Sequence, residues 1–237
     1  MDLKESQILG NDISKHWYYV SKLNVVKKII GSVAFVRLLD VGAGSAYFSK
    51  SLLETHDVKE VCCVDTSYET EYEGKVNGKI IKYLKSINSY EADFVLMMDV
   101  IEHVDNDVGL IKEYIDKVPI GCNFLISVPA FQWLWSCHDD FLDHKRRYSI
   151  SQLEETVSKS GLEIINSQYF YGGVFPIAVI LRLFERLTDK KEKQSQLKRH
   201  SKIINNLLLT ICKFETKFFI NRNKLFGLTV FCLAKKV

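Results

Sequence analysis

Apolar residues between Ile13 and Ile30 recur every three to four positions, with Ser14 as a cap and Gly31 as a stop, which predicts an N-terminal helix. Val36–Val41 is a continuous apolar run broken only by Arg37 and Asp40 and predicts a buried strand; a glycine-rich turn follows, then helical spacing over Tyr47–Glu54. Short runs at Glu60–Val64, Lys79–Leu84, Asp93–Met98 and Asn123–Val128 predict further strands, mostly separated by helix-like segments. Continuous apolar strands alternating with helices imply an α/β fold, a mostly parallel sheet covered on both faces. Ser151 and Glu154 are spaced as a capping box for a helix that Gly161 ends, before strands at Glu163–Tyr171 and Leu228–Ala234. Between these last strands lie two amphipathic stretches, Val174–Leu187 and Ile203–Phe219, joined by the lysine-rich Thr188–Lys202. Residues 1–237 are thus expected to form a single domain, with a helical cap over 1–31 and a helical insertion over 174–226 that covers the site as a lid, Phe175, Phe184 and Leu187 facing inward.

Composition is that of a folded protein: 47% hydrophobic and 26% charged residues over 237 positions. The longest apolar runs, such as Phe175–Leu181, are too short to span a bilayer, and no signal-peptide pattern opens the chain, so a cytoplasmic location is expected. Six cysteines without CxxC spacing read as reduced core thiols. The net charge of +3 is uneven. Twelve lysines and arginines face four acidic residues between Pro176 and Phe226, a balance of +8 that leaves −5 elsewhere. Such a segment fits an anionic acceptor or peripheral contact with the inner membrane face, although a solvated face or a homodimer interface accounts for it too. No specific nucleic acid is expected as a partner.

Asp40-Val41-Gly42-Ala43-Gly44-Ser45-Ala46 lets backbone approach a ligand at the carboxyl end of the first strand, where open α/β sheets bind ligands. A dinucleotide fingerprint wants a small residue where this chain has Tyr47, and no GxxxxGK[ST] loop is present. Asp65, ending the second strand, has the position and chemistry to accept both hydroxyls of a ribose. Histidine is the apt base near neutral pH, and His103, His138 and His144 are the candidates. The last two lie in a loop with Trp135, Arg146, Arg147 and Tyr148, a mixture suited to substrate binding; alternatively the arginines pin the loop to Asp139 and Asp143. Asp99, Glu102 and His103 share one face if a helix starts there. They are read as organisers of the pocket without a metal, the alternative being a cation held with His138 or His144.

The strings LLDVGAGSAYF, VCCVD and ADFVLMMDVIEHVDND resemble strand-end motifs of class I S-adenosylmethionine-dependent methyltransferases. The aromatic His16–Tyr19 and VPAFQWLWSCHDDFLDHKRRYS, Val128–Ser149, resemble more particularly a bacterial and archaeal type 11/12 branch often encoded among glycan-assembly functions. The resemblance implies a Rossmann-like, mostly parallel seven-stranded sheet and S-adenosylmethionine as cofactor. It implies Asp40, Gly42, Ala43 and Gly44 around the methionine part, Asp65 and Thr66 at the ribose, Asp99 and Val100 near the sulfonium, and Trp17 closing over the site. The acceptor would be a hydroxyl of a sugar, glycolipid or other small molecule. The alternatives are a metal-dependent enzyme acting on RNA ends or quinone precursors, or an inactive binding subunit. Ala46 stands where the family usually has glycine.

Overall fold

The computed structural model describes residues 9–31, 33–187 and 200–237. A 3-10 turn, Gly10–Ser14, and an extended His16 precede α1, Trp17–Ile30, so the regular helix starts four residues later than its apolar spacing suggests. Then come β1, Arg37–Val41; α2, Tyr47–Thr55; β2, Glu60–Val64; β3, Tyr72–Val76; β4, Lys79–Leu84; and β5, Phe94–Met98. A 3-10 turn, Ile101–His103, leads to α3, Asp107–Asp116, and β6, Asn123–Pro129. After the short α4, Cys137–Phe141, follow α5, Ile150–Ser160; β7, Leu162–Phe170; α6, Phe175–Leu187; α7, Lys202–Phe218; and β8, Thr229–Lys236.

The sheet has eight strands in the order β3-β4-β2-β1-β5-β6-β8-β7, with β3 antiparallel to β4 and β8 antiparallel to both its neighbours. The strand beyond the expected seven is β3. Its sequence, Tyr-Glu-Gly-Lys-Val, has no apolar run, because it is an exposed edge strand with nothing to bury. Asn77 (φ 51°) and Gly78 (φ 78°) turn it into β4, the two positive values that a two-residue hairpin requires. Tyr72 stacks on Tyr83 across the pair, ring centroids 4.3 Å apart.

Strand alternation splits the core into two layers. Leu38, Phe94, Leu96 and Phe231 point towards α1 and α2, while Leu39, Val95, Met97 and Ile126 point towards α3 and α5. α5 is capped by Ser149, whose hydroxyl accepts from the Gln152 amide while the Gln152 side chain accepts from the Ser149 amide. This box lies two residues before the Ser151/Glu154 pair with the same spacing. Gly161 ends the helix at φ 100°.

The inserted helices are tied to the body by polar contacts. The Trp17 amide donates to Asn205 Oδ1 (2.8 Å), and the buried Glu215 carboxylate accepts from the amides of Gly172 (2.8 Å) and Gly173 (3.2 Å) ahead of α6. Phe175 meets Phe131 and Trp133 edge-on, and the Arg182 guanidinium donates to the Leu134 carbonyl. Phe184, expected to face inward, is 61% exposed, in a row with Ile177, Ile180 and Leu181. The Leu187 side chain and the connector over 188–199 lie outside what the structure describes. Among the described residues no helix is long and apolar enough to cross a membrane.

Candidate active site

The carboxyl ends of β1, β2, β5 and β6 lie side by side, so the segments that follow them line one edge of the sheet. After β1 the backbone takes positive φ at Gly42 (65°), Gly44 (52°) and Ala46 (57°). At Gly42 a Cβ would stand 2.6 Å from Val100 Cγ2, so glycine is required by space as well as by conformation. Ala46 holds a left-handed conformation at a cost of roughly 1–2 kcal/mol, and its buried methyl joins the core beside α2.

Asp65 ties the ends of β1 and β2 together. Its Oδ2 accepts from the Gly44 amide (2.8 Å) and its Oδ1 from the Ser67 amide (2.9 Å) and hydroxyl, while the Tyr68 hydroxyl donates to the Gly44 carbonyl (2.9 Å). Thr66 is exposed beside it. Asp40, by contrast, is buried against α2, where the Ser49 hydroxyl donates to it (2.6 Å). Burial pushes its carboxyl up to about 6, against the opposing effect of the Ser49 hydrogen bond.

Asp99, at φ 55° after β5, accepts from the Ser127 hydroxyl (3.0 Å) and pairs with Lys22 of α1. Burial raises the Asp99 carboxyl, but the Lys22 ammonium outweighs it and leaves the group below the ordinary carboxylate range. Lys22 is itself buried, 3.3 Å from the Tyr18 hydroxyl, and is a site residue that sequence reasoning missed. Its signal was legible: it lies one turn after Tyr18 and one before Val26 on an apolar stripe. Above it Tyr18 stacks on Tyr171, whose hydroxyl donates to the Tyr18 carbonyl (2.7 Å), and Trp17 packs edge-on against Tyr171. Val100 is half-buried over Gly42.

The segment after β6 is organised by Asp139, which has no exposed surface. Its carboxylate accepts from the Ser136 amide (2.8 Å), which caps α4, and from Arg147 through Nε (2.7 Å) and Nη2 (2.8 Å); His144 Nδ1 stands 2.9 Å away. Burial raises its carboxyl, but the hydrogen bonds and charges of His144 and Arg147 bring it well below the ordinary range. An ionised carboxylate only accepts, so the proton between them sits on Nδ1, and in the neutral form of the ring His144 Nε2 is the acceptor. The His103 ring meets His144 edge-on at 4.8 Å. Glu102 lies beside them without exposure, and neither carboxylate oxygen has a hydrogen-bond partner among the described residues. Burial, helped by the Asp99 charge, pushes its carboxyl well above the usual range.

Of the three candidate histidines the structure groups His103 and His144 with Glu102, while His138, on α4, is not among the ligand atoms of that group. Arg147 is committed to Asp139 and to the Ala130 carbonyl (3.1 Å), as the pinning alternative has it. Arg146 instead reaches Asp107 and the carbonyls of Val104 and Asp105, and the Tyr148 hydroxyl donates to Asp107 (2.8 Å). The Trp135 indole donates to Asp140 (3.0 Å).

A glycine turn after β1, an acid after β2 and an antiparallel β8 inserted between β6 and β7 are the arrangement of a class I S-adenosylmethionine-dependent methyltransferase, the class to which the family match assigns the chain. The chain belongs to the family described as the methyltransferase domain, which matches residues 17–167. Solved structures share the fold at low identity. One is the Haloferax volcanii Trm112 methyltransferase activator in complex with a methyltransferase, at TM-score 0.58 and 12% identity over 99% of this chain and 94% of that one. Another is Haemonchus contortus phosphoethanolamine N-methyltransferase 2 with S-adenosyl-L-methionine, at TM-score 0.58 and 17% identity over 99% of this chain but 56% of that one. A third is a SAM-dependent methyltransferase from Archaeoglobus fulgidus, at TM-score 0.57 and 16% identity over 99% and 98%. No curated protein sequence matches.

Proposed function

We propose that the chain transfers a methyl group from S-adenosylmethionine to a hydroxyl of a sugar, glycolipid or other small-molecule acceptor, and that residues 1–237 work as one domain. When bound, the cofactor supplies an electrophilic methyl group. The residues present fit it: positive φ at Gly42 and Gly44 folds the backbone tightly at the carboxyl end of β1, and Asp65, half-exposed, keeps acceptor capacity for ribose hydroxyls beyond its bonds to Gly44 and Ser67. Asp40, Thr66, Asp99, Val100 and Trp17 complete that side. The observation that carries an oxygen acceptor is His144, fixed through Nδ1 by Asp139 with Nε2 left as an acceptor for a hydroxyl proton. Trp135, Arg146 and Tyr148 border the acceptor side; Asp139 and Arg147 position His144. A labelled methyl-transfer assay on fractionated lipid, nucleotide-sugar and RNA pools tests this reading: label in a hydroxyl-bearing lipid or sugar fraction supports it, and label confined to RNA overturns it.

Residues 174–226 act as a cover that rests on an anionic membrane surface. Ile177, Ile180, Leu181 and Phe184 of α6 are at least half exposed, and Lys202, Lys213 and Lys217 of α7 supply positive charge. Each basic residue near such a surface contributes about 1 kcal/mol. Phosphatidylglycerol vesicles should therefore retain the protein on flotation and release it when Lys190, Lys191, Lys193, Lys198 and Arg199 are neutralised; unchanged flotation with an altered oligomeric state assigns the segment to a homodimer instead.

A further inference from the structure

Glu102 is a fully buried acid beside two imidazoles. A buried carboxyl group is normally hydrogen-bonded, paired or bound to a cation, because leaving its polar oxygens unpartnered away from water is unfavourable. Neither of its oxygens has a partner among the described residues, and the side chain is fully enclosed. One ligand atom each from Glu102, His103 and His144 lies within 4.8 Å of the others. We propose that these three residues bind one divalent transition cation of the zinc or cobalt class.

Three features of the chain support the assignment. Two imidazoles with one carboxylate favour a borderline transition ion over magnesium or calcium, which take oxygen ligands. His144 has the outer support that metal-bound imidazoles carry, since its Nδ1 lies 2.9 Å from Asp139, and Asp139 is gripped on its far side by both Arg147 nitrogens. His103 and Glu102 are adjacent on a 3-10 turn, which the Lys145 amide clamps by donating to the Glu102 carbonyl (2.7 Å), so loop and turn hold the ligands jointly. Asp99, the other acid expected in such a site, is committed to Lys22 and Ser127, and His138 stays on α4 outside the cluster.

Three protein ligands would leave coordination positions open, and the cation would supply Lewis acidity that makes an acceptor hydroxyl a stronger acid. With the cation bound, His144 Nε2 would serve as its ligand; in the cation-free chain the same nitrogen is the base of the proposed function. Only this catalytic meaning rests on the proposed function; cation binding does not.

The experiment is titration of the chelator-stripped, full-length protein with Co²⁺, read by visible absorption and by equilibrium dialysis, with circular dichroism to verify folding. One Co²⁺ per chain with ligand-field bands is expected. Affinity should fall at least tenfold in folded Glu102→Gln and His144→Ala, while His138→Ala should bind as the native chain does. No saturable binding by the native protein, or native-like binding by both Glu102→Gln and His144→Ala, overturns the proposal. If the native chain binds no Co²⁺ yet His144→Ala loses turnover, the cation falls and the hydroxyl-methylation reading stands. If Co²⁺ binds but no hydroxyl acceptor is ever methylated, the cation stands and that reading falls.

Discussion

His144→Ala should lower kcat by about a hundred- to ten-thousand-fold while S-adenosylmethionine affinity stays near native, the range that a well-placed group for proton removal contributes, because Nε2 is lost both as a base and, with the cation bound, as a ligand. The side chain is almost enclosed and fixed at Nδ1 by an Asp139 that Arg147 holds in place, so its other nitrogen has one direction to act in. Steady-state kinetics and cofactor titration on the same preparation check both halves. Asp139→Asn should also lower kcat, because the amide supports the wrong tautomer, but with part of its effect appearing as lower stability through the lost cap of α4. Normal turnover in His144→Ala places the group that activates the acceptor elsewhere.

Lys22→Met should destabilise the fold by about 3 kcal/mol, since removing one partner of a buried ion pair strands the other. The lower end of the usual 3–5 kcal/mol applies because the Asp99 side chain keeps 24% exposure. Urea unfolding at pH 7 measures the loss, and Lys22→Met with Asp99→Asn should recover much of it. The sign with pH follows from the depressed Asp99 carboxyl: the pair's contribution is complete above the ordinary carboxylate range and is lost as pH falls through the lowered folded value. The difference between native and Lys22→Met should therefore shrink in acid. A difference independent of pH contradicts the assignment of Asp99 as the charge that Lys22 neutralises.

The sheet was legible wherever burial leaves an apolar run. Glu60–Val64 and Lys79–Leu84 form strands at their expected bounds, and the glycine turn falls at the strand end where positive φ is needed. β3 was not legible from hydrophobicity because an edge strand buries little, although Asn77-Gly78 carried a local hairpin signal. Ser149/Gln152 and Ser151/Glu154 offer the same spacing, and only tertiary placement of the helix start separates them. In the candidate site, the histidines and acids could be named but not grouped: which carboxylate meets which imidazole depends on how the segment after β6 folds back. Asp139 takes His144 and Arg147, Asp99 takes Lys22 from a helix far away in sequence, and Glu102 is left between them. Phe184 faces outward, against expectation, because an amphipathic helix announces an apolar face without specifying what covers it.

The measurement that tests the account most directly is isothermal titration of the native chain and of Asp65→Ala with S-adenosylmethionine. One saturable site per chain is predicted. Asp65→Ala should bind more weakly by about 1–3 kcal/mol, roughly 5- to 150-fold, because it loses hydrogen bonds to a charged acceptor and loosens the Gly44 turn that Asp65 holds. No binding heat from a folded native chain, or an Asp65→Ala affinity equal to native, would contradict the glycine turn and Asp65 as the cofactor site.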